Sequence, residues 1–214
     1  MKVVQIAGFL GSGKTSILLE ASSKISQIYK KRVALVVNEI GDVPVDAKVI
    51  EVAGMKVKEI AGGCICCELG PSLAASLVDL ADYFKPDLVL IEPTGVAIPD
   101  QVKVAIAMST RDTDAEIEIG PVIVLYDAFR VDELLENETV NNFIMRQVLN
   151  ADVVAISKVD LVDEERIRYC ERMIRGINTR ALIIRLSVVR GDGMDELIRI
   201  LLEPGGTPIG GRVG

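Results

Sequence analysis

The amino-acid sequence predicts an α/β domain in which a mostly parallel sheet is covered by helices on both faces. Short continuous aliphatic runs alternate with stretches of helical periodicity along the 214 residues. This is the pattern of parallel strands buried between two layers of helices. Half of the residues are apolar whereas only 4% are aromatic, and the aliphatic excess favours such strands and helices. A chain of this length has room for one sizeable core, so a single domain is expected.

The predicted elements begin with a strand over Val3 to Ala7, an apolar run that ends in a glycine-rich segment. A helix follows, because apolar residues recur at three- and four-residue steps from Leu18 to Ile28. The same alternation continues along the rest of the chain. Five more strands are predicted at 32–38, 88–91, 122–125, 153–156 and 182–184, and five more helices around 71–83, 99–108, 139–150, 163–176 and 194–202.

Composition and chain ends limit the function classes. The domain is expected to span 1–203, followed by a flexible tail rich in Gly and Pro at 204–214. The longest segment without a charged residue, Val3 to Gly13, has 11 residues and is too short to cross a bilayer. The first residues lead into a strand rather than a signal peptide, which predicts a cytoplasmic protein. A net charge of −7 without a basic block argues against a nucleic-acid groove.

The segment GFLGSGKT from Gly8 to Thr15 fits the phosphate-loop pattern, with the strand before it and the helix after it that the pattern needs. Glycines let successive backbone N–H groups converge on phosphate oxygens, and the helix N-terminus adds its positive end. Lys14 is expected to reach the β- and γ-phosphates, and the Thr15 hydroxyl to bind Mg²⁺. The predicted nucleotide-binding residues here are Gly11, Ser12, Gly13, Lys14, Thr15 and Ser16.

The base is predicted from Ser157-Lys158-Val159-Asp160, which follows a predicted strand. A carboxylate at Asp160 can accept hydrogen bonds from both the ring N–H and the exocyclic amine of guanine, while the Lys158 stem lies along the base. Adenine has an acceptor where guanine has the ring N–H, so the sequence favours GTP and GDP as ligands. Backbone N–H groups of Ser187 and Val188, after the last predicted strand, are candidates to bind the guanine oxygen.

Acidic residues after two other predicted strands are candidates for the Mg²⁺ and hydrolysis chemistry. Glu92 stands at a strand end beside the phosphate loop, where a carboxylate holds Mg²⁺ directly or through water. Gly95 is predicted to turn its N–H towards the γ-phosphate. Asp42 is predicted to orient the attacking water, with Glu39 and Asp46 as alternatives in the same loop. Lys14, Asp42 and Glu92 form the predicted catalytic set.

Three of the four cysteines, Cys64, Cys66 and Cys67, fall within four residues behind two glycines. Such clustering in a cytosolic protein suggests a metal site, and thiolates suit Zn²⁺, Cu⁺ or Co²⁺. The sequence contains no histidine, so the remaining ligand must be water, an outside group or a second subunit, and an open site suits a metal that is passed on. Cys170 lies on an apolar helical stripe and is expected in the core.

The cysteines lie between Asp42 and Glu92 in the chain, so a nucleotide that orders those loops would also order the thiolates. Linkage then requires the metal to tighten GTP binding by the same factor. Two alternatives stay open. One is a nucleotide-gated redox or iron–sulfur activase whose thiolates hold a cluster. The other is a regulatory GTPase switch whose cysteines are structural.

These stretches together resemble the CobW-type metallochaperone GTPases, cousins of the urease- and hydrogenase-maturation GTPases in the SIMIBI class of P-loop proteins. The resemblance rests on GFLGSGKT, NEIGDVPVD, GGCICC, IEPTG and SKVD in the family's order. It implies a three-layer P-loop fold and a slow GTPase that carries Zn²⁺ or Co²⁺ to a client metalloprotein or corrinoid pathway. It also implies a homodimer that depends on GTP or metal. The C-terminal CobW domain of the family is expected to be absent here.

Overall fold

The computed structural model describes residues 1–39, 50–52, 55–61, 69–93 and 99–203. These residues form strands and helices in alternation. The strands are β1 (Lys2–Gly8), β2 (Val33–Glu39), β3 (Ile50–Val52), β4 (Met55–Ala61), β5 (Leu88–Glu92), β6 (Glu118–Asp127), β7 (Val153–Ser157) and β8 (Leu182–Leu186). The helices are α1 (Lys14–Tyr29), α2 (Leu69–Asp79), α3 (Pro99–Ser109), α4 (Val131–Glu136), α5 (Glu138–Leu149), α6 (Glu164–Ile177) and α7 (Met194–Leu202), with a π-helical turn at Leu80–Phe84 and a 3₁₀ turn at Val159–Leu161.

The described strands form one sheet in the order β3-β4-β2-β5-β1-β6-β7-β8. The pairs from β4 to β8 are parallel, and the edge strand β3 pairs antiparallel with β4. The predicted α/β fold with a mostly parallel sheet is therefore confirmed.

Three elements were missed by the sequence prediction. Strands β3 and β4 lie at one edge of the sheet, and β4 has the sequence MKVKEIA with three charged residues. An edge strand pair need not be apolar on both faces, so a search for continuous aliphatic runs passes over it. The third missed element, α4, has six residues, which is too short for helical periodicity to be recognised.

The core lies on both faces of β1, whose seven residues are all buried. Val4 and Ile6 pack with α1 and α7 on one face. Val3 packs with α2 and α3, and Ala7 with α4 to α6, on the other face. Alternate side chains of a strand point to opposite faces of a sheet, so the two helix layers meet through this central strand.

Cys170 on α6 is fully buried in the α4 to α6 cluster, which confirms the predicted core position. Burial raises the pKa of its thiol to about 11. None of the helices among the described residues is long and apolar enough to cross a membrane. The strand order places β1 between β5 and β6, and ligands of such sheets bind beyond the carboxyl ends of the strands at this reversal of order.

Candidate functional site

The loop after β1 has the backbone of a phosphate cradle. Gly8, Gly11 and Gly13 all have positive φ, at 145°, 78° and 95°, a conformation that residues with a Cβ rarely adopt. A Cβ on Gly8 would also lie 2.8 Å from the Ser12 Oγ and 2.9 Å from a backbone oxygen of β6. Gly13 precedes α1 and has no side chain that could cap it, so the positive helix end faces the loop without a competing cap.

The predicted lysine, hydroxyl and carboxylate of the phosphate end lie together. The Thr15 Oγ1 donates to Glu92 Oε1 at 3.0 Å and Oε2 at 2.9 Å. The Lys14 Nζ lies 4.0 Å from Glu92 Oε1 and donates to the Phe9 carbonyl at 3.4 Å. Lys14 is 6% exposed and Glu92 8% exposed. Burial lowers the pKa of Lys14, and the charge of Glu92 partly opposes this shift.

These side chains fit a Mg²⁺ ion in their chemistry. A carboxylate and a hydroxyl at a strand end next to a phosphate loop are hard oxygen ligands of the kind Mg²⁺ takes in nucleotide sites. Ser16, the next residue of α1, is exposed. The structure thus brings Thr15 and Glu92, which are 77 residues apart, to the distance that the predicted site needs.

Asp160 and Ser187 of the predicted base-binding set lie near each other, but the Ser187 backbone N–H, which was predicted to bind the guanine oxygen, donates to the Asp192 carbonyl at 3.0 Å. The neighbouring Ser187 hydroxyl is the main cause that lowers the pKa of Asp160, with the charges of Arg190 and Lys158 acting in the same direction. Lys158 precedes the 3₁₀ turn and has a left-handed backbone conformation with φ at 59°. Val188 is partly buried against the core beside β8. Carboxylate, lysine and hydroxyl thus lie at the carboxyl ends of β7 and β8.

Ser157 joins the base-binding segment to the phosphate loop. Its Oγ donates to the Ser12 carbonyl at 3.0 Å, and the serine is 2% exposed. The Ser157 hydroxyl therefore ties the phosphate loop to the end of β7. Ser12 is itself buried, and its Oγ has no hydrogen-bond partner among the described residues.

Asp127 and Arg130, two residues at this edge, were missed by the sequence analysis. Asp127 ends β6, is 5% exposed, and accepts the N–H groups of Phe129 and Arg130 at 3.1 and 3.2 Å. Its Oδ2 lies 2.7 Å from the Lys158 Nζ, a close charge contact without the angles of a directed hydrogen bond. The signal was available, because the rule that selected Glu92, an acid at a strand end, also selects Asp127.

Several predicted site residues lie outside the described residues. They are Asp42, Asp46, Cys64, Cys66, Cys67 and Gly95. Within the described ranges, no group of three or more Cys, Asp or Glu residues is placed to hold a metal ion.

Comparison with known proteins identifies the architecture. A family profile described as the CobW/HypB/UreG nucleotide-binding domain matches residues 2–185. The chain belongs to this family. The resemblance inferred from the motifs is therefore confirmed.

Relatives of this CobW/HypB/UreG domain include proteins named for zinc. The zinc chaperone YjiA of Escherichia coli (strain K12) is 31% identical over 195 residues, which cover 89% of this chain and 58% of YjiA. The crystal structure of Zn(II)-bound YjiA GTPase from E. coli is 27% identical with a TM-score of 0.60, and covers 86% of this chain and 56% of that one. The chain spans 45% to 58% of the length of five curated relatives that it matches.

The fold also matches more distant members. The hydrogenase maturation factor HypB from Archaeoglobus fulgidus is 22% identical with a TM-score of 0.65, and the match covers 94% of this chain and 88% of HypB. At this identity the similarity shows the fold alone. It agrees with the predicted P-loop architecture.

Proposed function

We propose that this domain binds and slowly hydrolyses GTP and couples its nucleotide state to a metal ion held by cysteines. The observation that carries the proposal is the convergence of two half-sites at one sheet edge. Lys14, Thr15 and Glu92 form the phosphate end, and Asp160 with Ser187 forms the base end. Family membership and relatives named as zinc chaperones and GTPases support this assignment.

The phosphate end supplies charge and orientation. Lys14 is held between the Phe9 carbonyl and Glu92, so its ammonium is in place to neutralise the β- and γ-phosphates. Thr15 and Glu92 would hold Mg²⁺, which supplies further neutralisation of phosphate charge. Asp42 is proposed to orient the attacking water and Gly95 to bind the γ-phosphate.

The base end selects guanine. Asp160 is an ionised carboxylate with a lowered pKa, and it offers acceptors only. Guanine presents two N–H donors on the edge that such a carboxylate reads, whereas adenine presents an acceptor there and leaves the carboxylate without a partner on the base. Lys158 lies two residues before Asp160 in the chain and would cover the face of the base.

Cys64, Cys66 and Cys67 are proposed to bind the transported metal. Three thiolates without histidine favour Zn²⁺ first, with Co²⁺ second, and leave a ligand position open for transfer. The relative solved in a Zn(II)-bound form supports zinc. The metal is passed to a client metalloprotein or a cofactor pathway, and a second copy of the chain in a GTP- or metal-dependent dimer would complete the ligand set.

A zinc titration in the presence of Mg²⁺ with a non-hydrolysable GTP analogue or with GDP tests the coupling. We expect tighter zinc binding with the GTP analogue, and tighter GTP binding with zinc by the same factor. The triple Cys→Ser variant at positions 64, 66 and 67 should lose zinc and keep GDP. Cys170→Ala is the matched control, since this buried thiol should not affect zinc binding.

Two results would contradict the proposal. Equal zinc affinity in both nucleotide states excludes coupling, and zinc binding that survives the triple variant excludes the cysteines as the site. Visible absorption after anaerobic purification would indicate an iron–sulfur cluster instead of a carried metal. Sedimentation with and without zinc and the GTP analogue tests the dimer.

A further inference from the structure

The turn after β6, residues 128–130, is connected to both halves of the nucleotide site. The Ala128 N–H donates to the Ser157 carbonyl at 3.2 Å, which places the turn against the end of β7. The Ala128 carbonyl accepts from the Arg166 Nε of α6 at 3.0 Å. The turn is thus fixed between the base-binding strand and a core helix.

Arg130 connects the turn to the phosphate loop. Its Nη1 lies 3.5 Å from the Leu10 carbonyl, and it would lie 2.9 Å from a Cβ on Gly11. The Leu10 carbonyl and the Gly11 N–H belong to one peptide group. A cation at the carbonyl oxygen polarises that group and makes its N–H a stronger donor to an anion in the loop.

Asp127 holds both the arginine and the lysine. One carboxylate oxygen accepts the Arg130 backbone N–H at 3.2 Å, and the other lies 2.7 Å from the Lys158 Nζ. The Asp127 side chain is 2% exposed, so the lysine charge offsets its burial and the geometry is confined by packing. Moving Asp127 would displace the Lys158 head and the start of the Arg130 side chain together.

We propose that Asp127 and Arg130 are positioning residues that align the phosphate loop with the guanine-binding lysine. Arg130 strengthens binding of nucleotides with a β-phosphate, and Asp127 sets Lys158 over the base. This inference rests on the proposed GTP site. In this inference one short turn aligns the groups that bind the phosphate end of the nucleotide with those that bind its base, a role that no motif in the sequence indicates.

Glu133 provides the matched control. Its carboxylate binds the Arg130 Nε and Nη2 at 3.1 and 3.0 Å, and this bond is the main cause that raises the pKa of Arg130. If Arg130 served only as the partner of a surface carboxylate, Arg130→Gln and Glu133→Gln would have equal effects. The proposal requires unequal effects, because Glu133→Gln leaves the guanidinium in place beside Leu10.

The test measures the affinity of guanosine, GMP and GDP by competition with a fluorescent GDP. Arg130→Gln should weaken GDP about fivefold, as expected for one modest hydrogen bond, and leave guanosine unchanged. Arg130→Lys should recover part of the loss because it keeps the charge. Glu133→Gln should leave GDP affinity within about twofold of wild type, the size expected for an exposed pair.

Asp127→Asn should weaken guanosine as well as GDP, because it removes the charge that holds Lys158. Arg130→Gln should then weaken GDP binding less in the Asp127→Asn background than in the wild type, and a double-mutant cycle measures this difference. Arg130 is partly exposed, so Arg130→Gln keeps the test decisive even where Asp127→Asn lowers the folded yield.

The outcomes separate the two proposals. A wild-type domain that binds ADP as well as GDP contradicts the proposed guanine site itself. Two results overturn the inference when the wild type prefers GDP. One is an unchanged GDP affinity in Arg130→Gln, and the other is an equal loss of guanosine and GDP affinity in that variant.

Discussion

Replacement of Asp160 by Asn should move base preference from guanine to xanthine. The carboxylate lies beside the Ser187 hydroxyl and has lone pairs for the two guanine N–H donors. Asparagine keeps one oxygen acceptor and places an NH₂ group where the second acceptor was, so one bond is lost and a donor faces a donor. The expected loss is about 2–4 kcal/mol, or roughly 30- to 1,000-fold in GDP affinity, from one charge-assisted bond and an unpaired group.

Xanthine has an oxygen where guanine has the exocyclic amine, and that oxygen accepts from the new NH₂ group. Calorimetric titration with GDP and xanthosine diphosphate measures both affinities, and thermal unfolding of the unliganded variant controls for the fold. The Ser187 hydroxyl can still donate to the asparagine oxygen, so the melting temperature should change little. If GDP and xanthosine diphosphate weaken equally, or GDP does not weaken, Asp160 does not read the base.

Three further predictions concern the phosphate end and the last turn. GDP affinity should fall as pH rises through the pKa that Lys14 has in the free protein, which burial sets below 10.5. Bound phosphate raises this pKa, so above the free-protein pKa GDP binding takes up a proton. Calorimetry should show GDP affinity falling by up to about tenfold per pH unit in the wild type and staying constant in Lys14→Arg. Glu92→Gln should keep the Thr15 hydrogen bond but lower the rate of Mg²⁺-dependent phosphate release from GTP about 100-fold. GDP binding in EDTA should be unchanged in this variant. Wild-type GTPase activity in Glu92→Gln would show that Glu92 does not hold Mg²⁺. At Gly193, which has φ +70°, an alanine Cβ would lie 1.9 Å from the Arg185 carbonyl, so Gly193→Ala should lower the free energy of unfolding in urea by about 2–4 kcal/mol. Gly191 has φ +79° and nothing within 4 Å of such a Cβ, so Gly191→Ala should lower it by about 1 kcal/mol. Equal losses would contradict the steric argument.

The sequence was sufficient for the features that depend on local chemistry. The phosphate loop follows from glycine conformations and a lysine at fixed spacing, and the structure gives Gly8, Gly11 and Gly13 positive φ. The position of Asp160 and Ser187 at one edge follows from the predicted parallel strands, because residues after parallel strands share one edge of the sheet.

The features that sequence analysis missed depend on tertiary contacts. Arg130 reaches the Leu10 carbonyl across 120 residues, and nothing in the spacing of the two indicates it. Asp127 looks like any acid after a strand until the fold places Lys158 beside it. Strand β4 is a strand because β2 supplies its hydrogen-bond partners, whereas its own alternating charges give a weak signal.

The contacts at the phosphate end explain how a buried lysine and a buried glutamate are tolerated. Lys14 and Glu92 are both more than 90% buried, and each offsets the charge of the other at 4.0 Å while Thr15 donates to the carboxylate. An unpaired charge at this depth would cost several kcal/mol. Phosphate would take Lys14 as its partner, and Glu92 would then need a new cation. Mg²⁺ bound between phosphate and Glu92 would meet that need, so GTP and Mg²⁺ should bind with positive cooperativity through this exchange of partners.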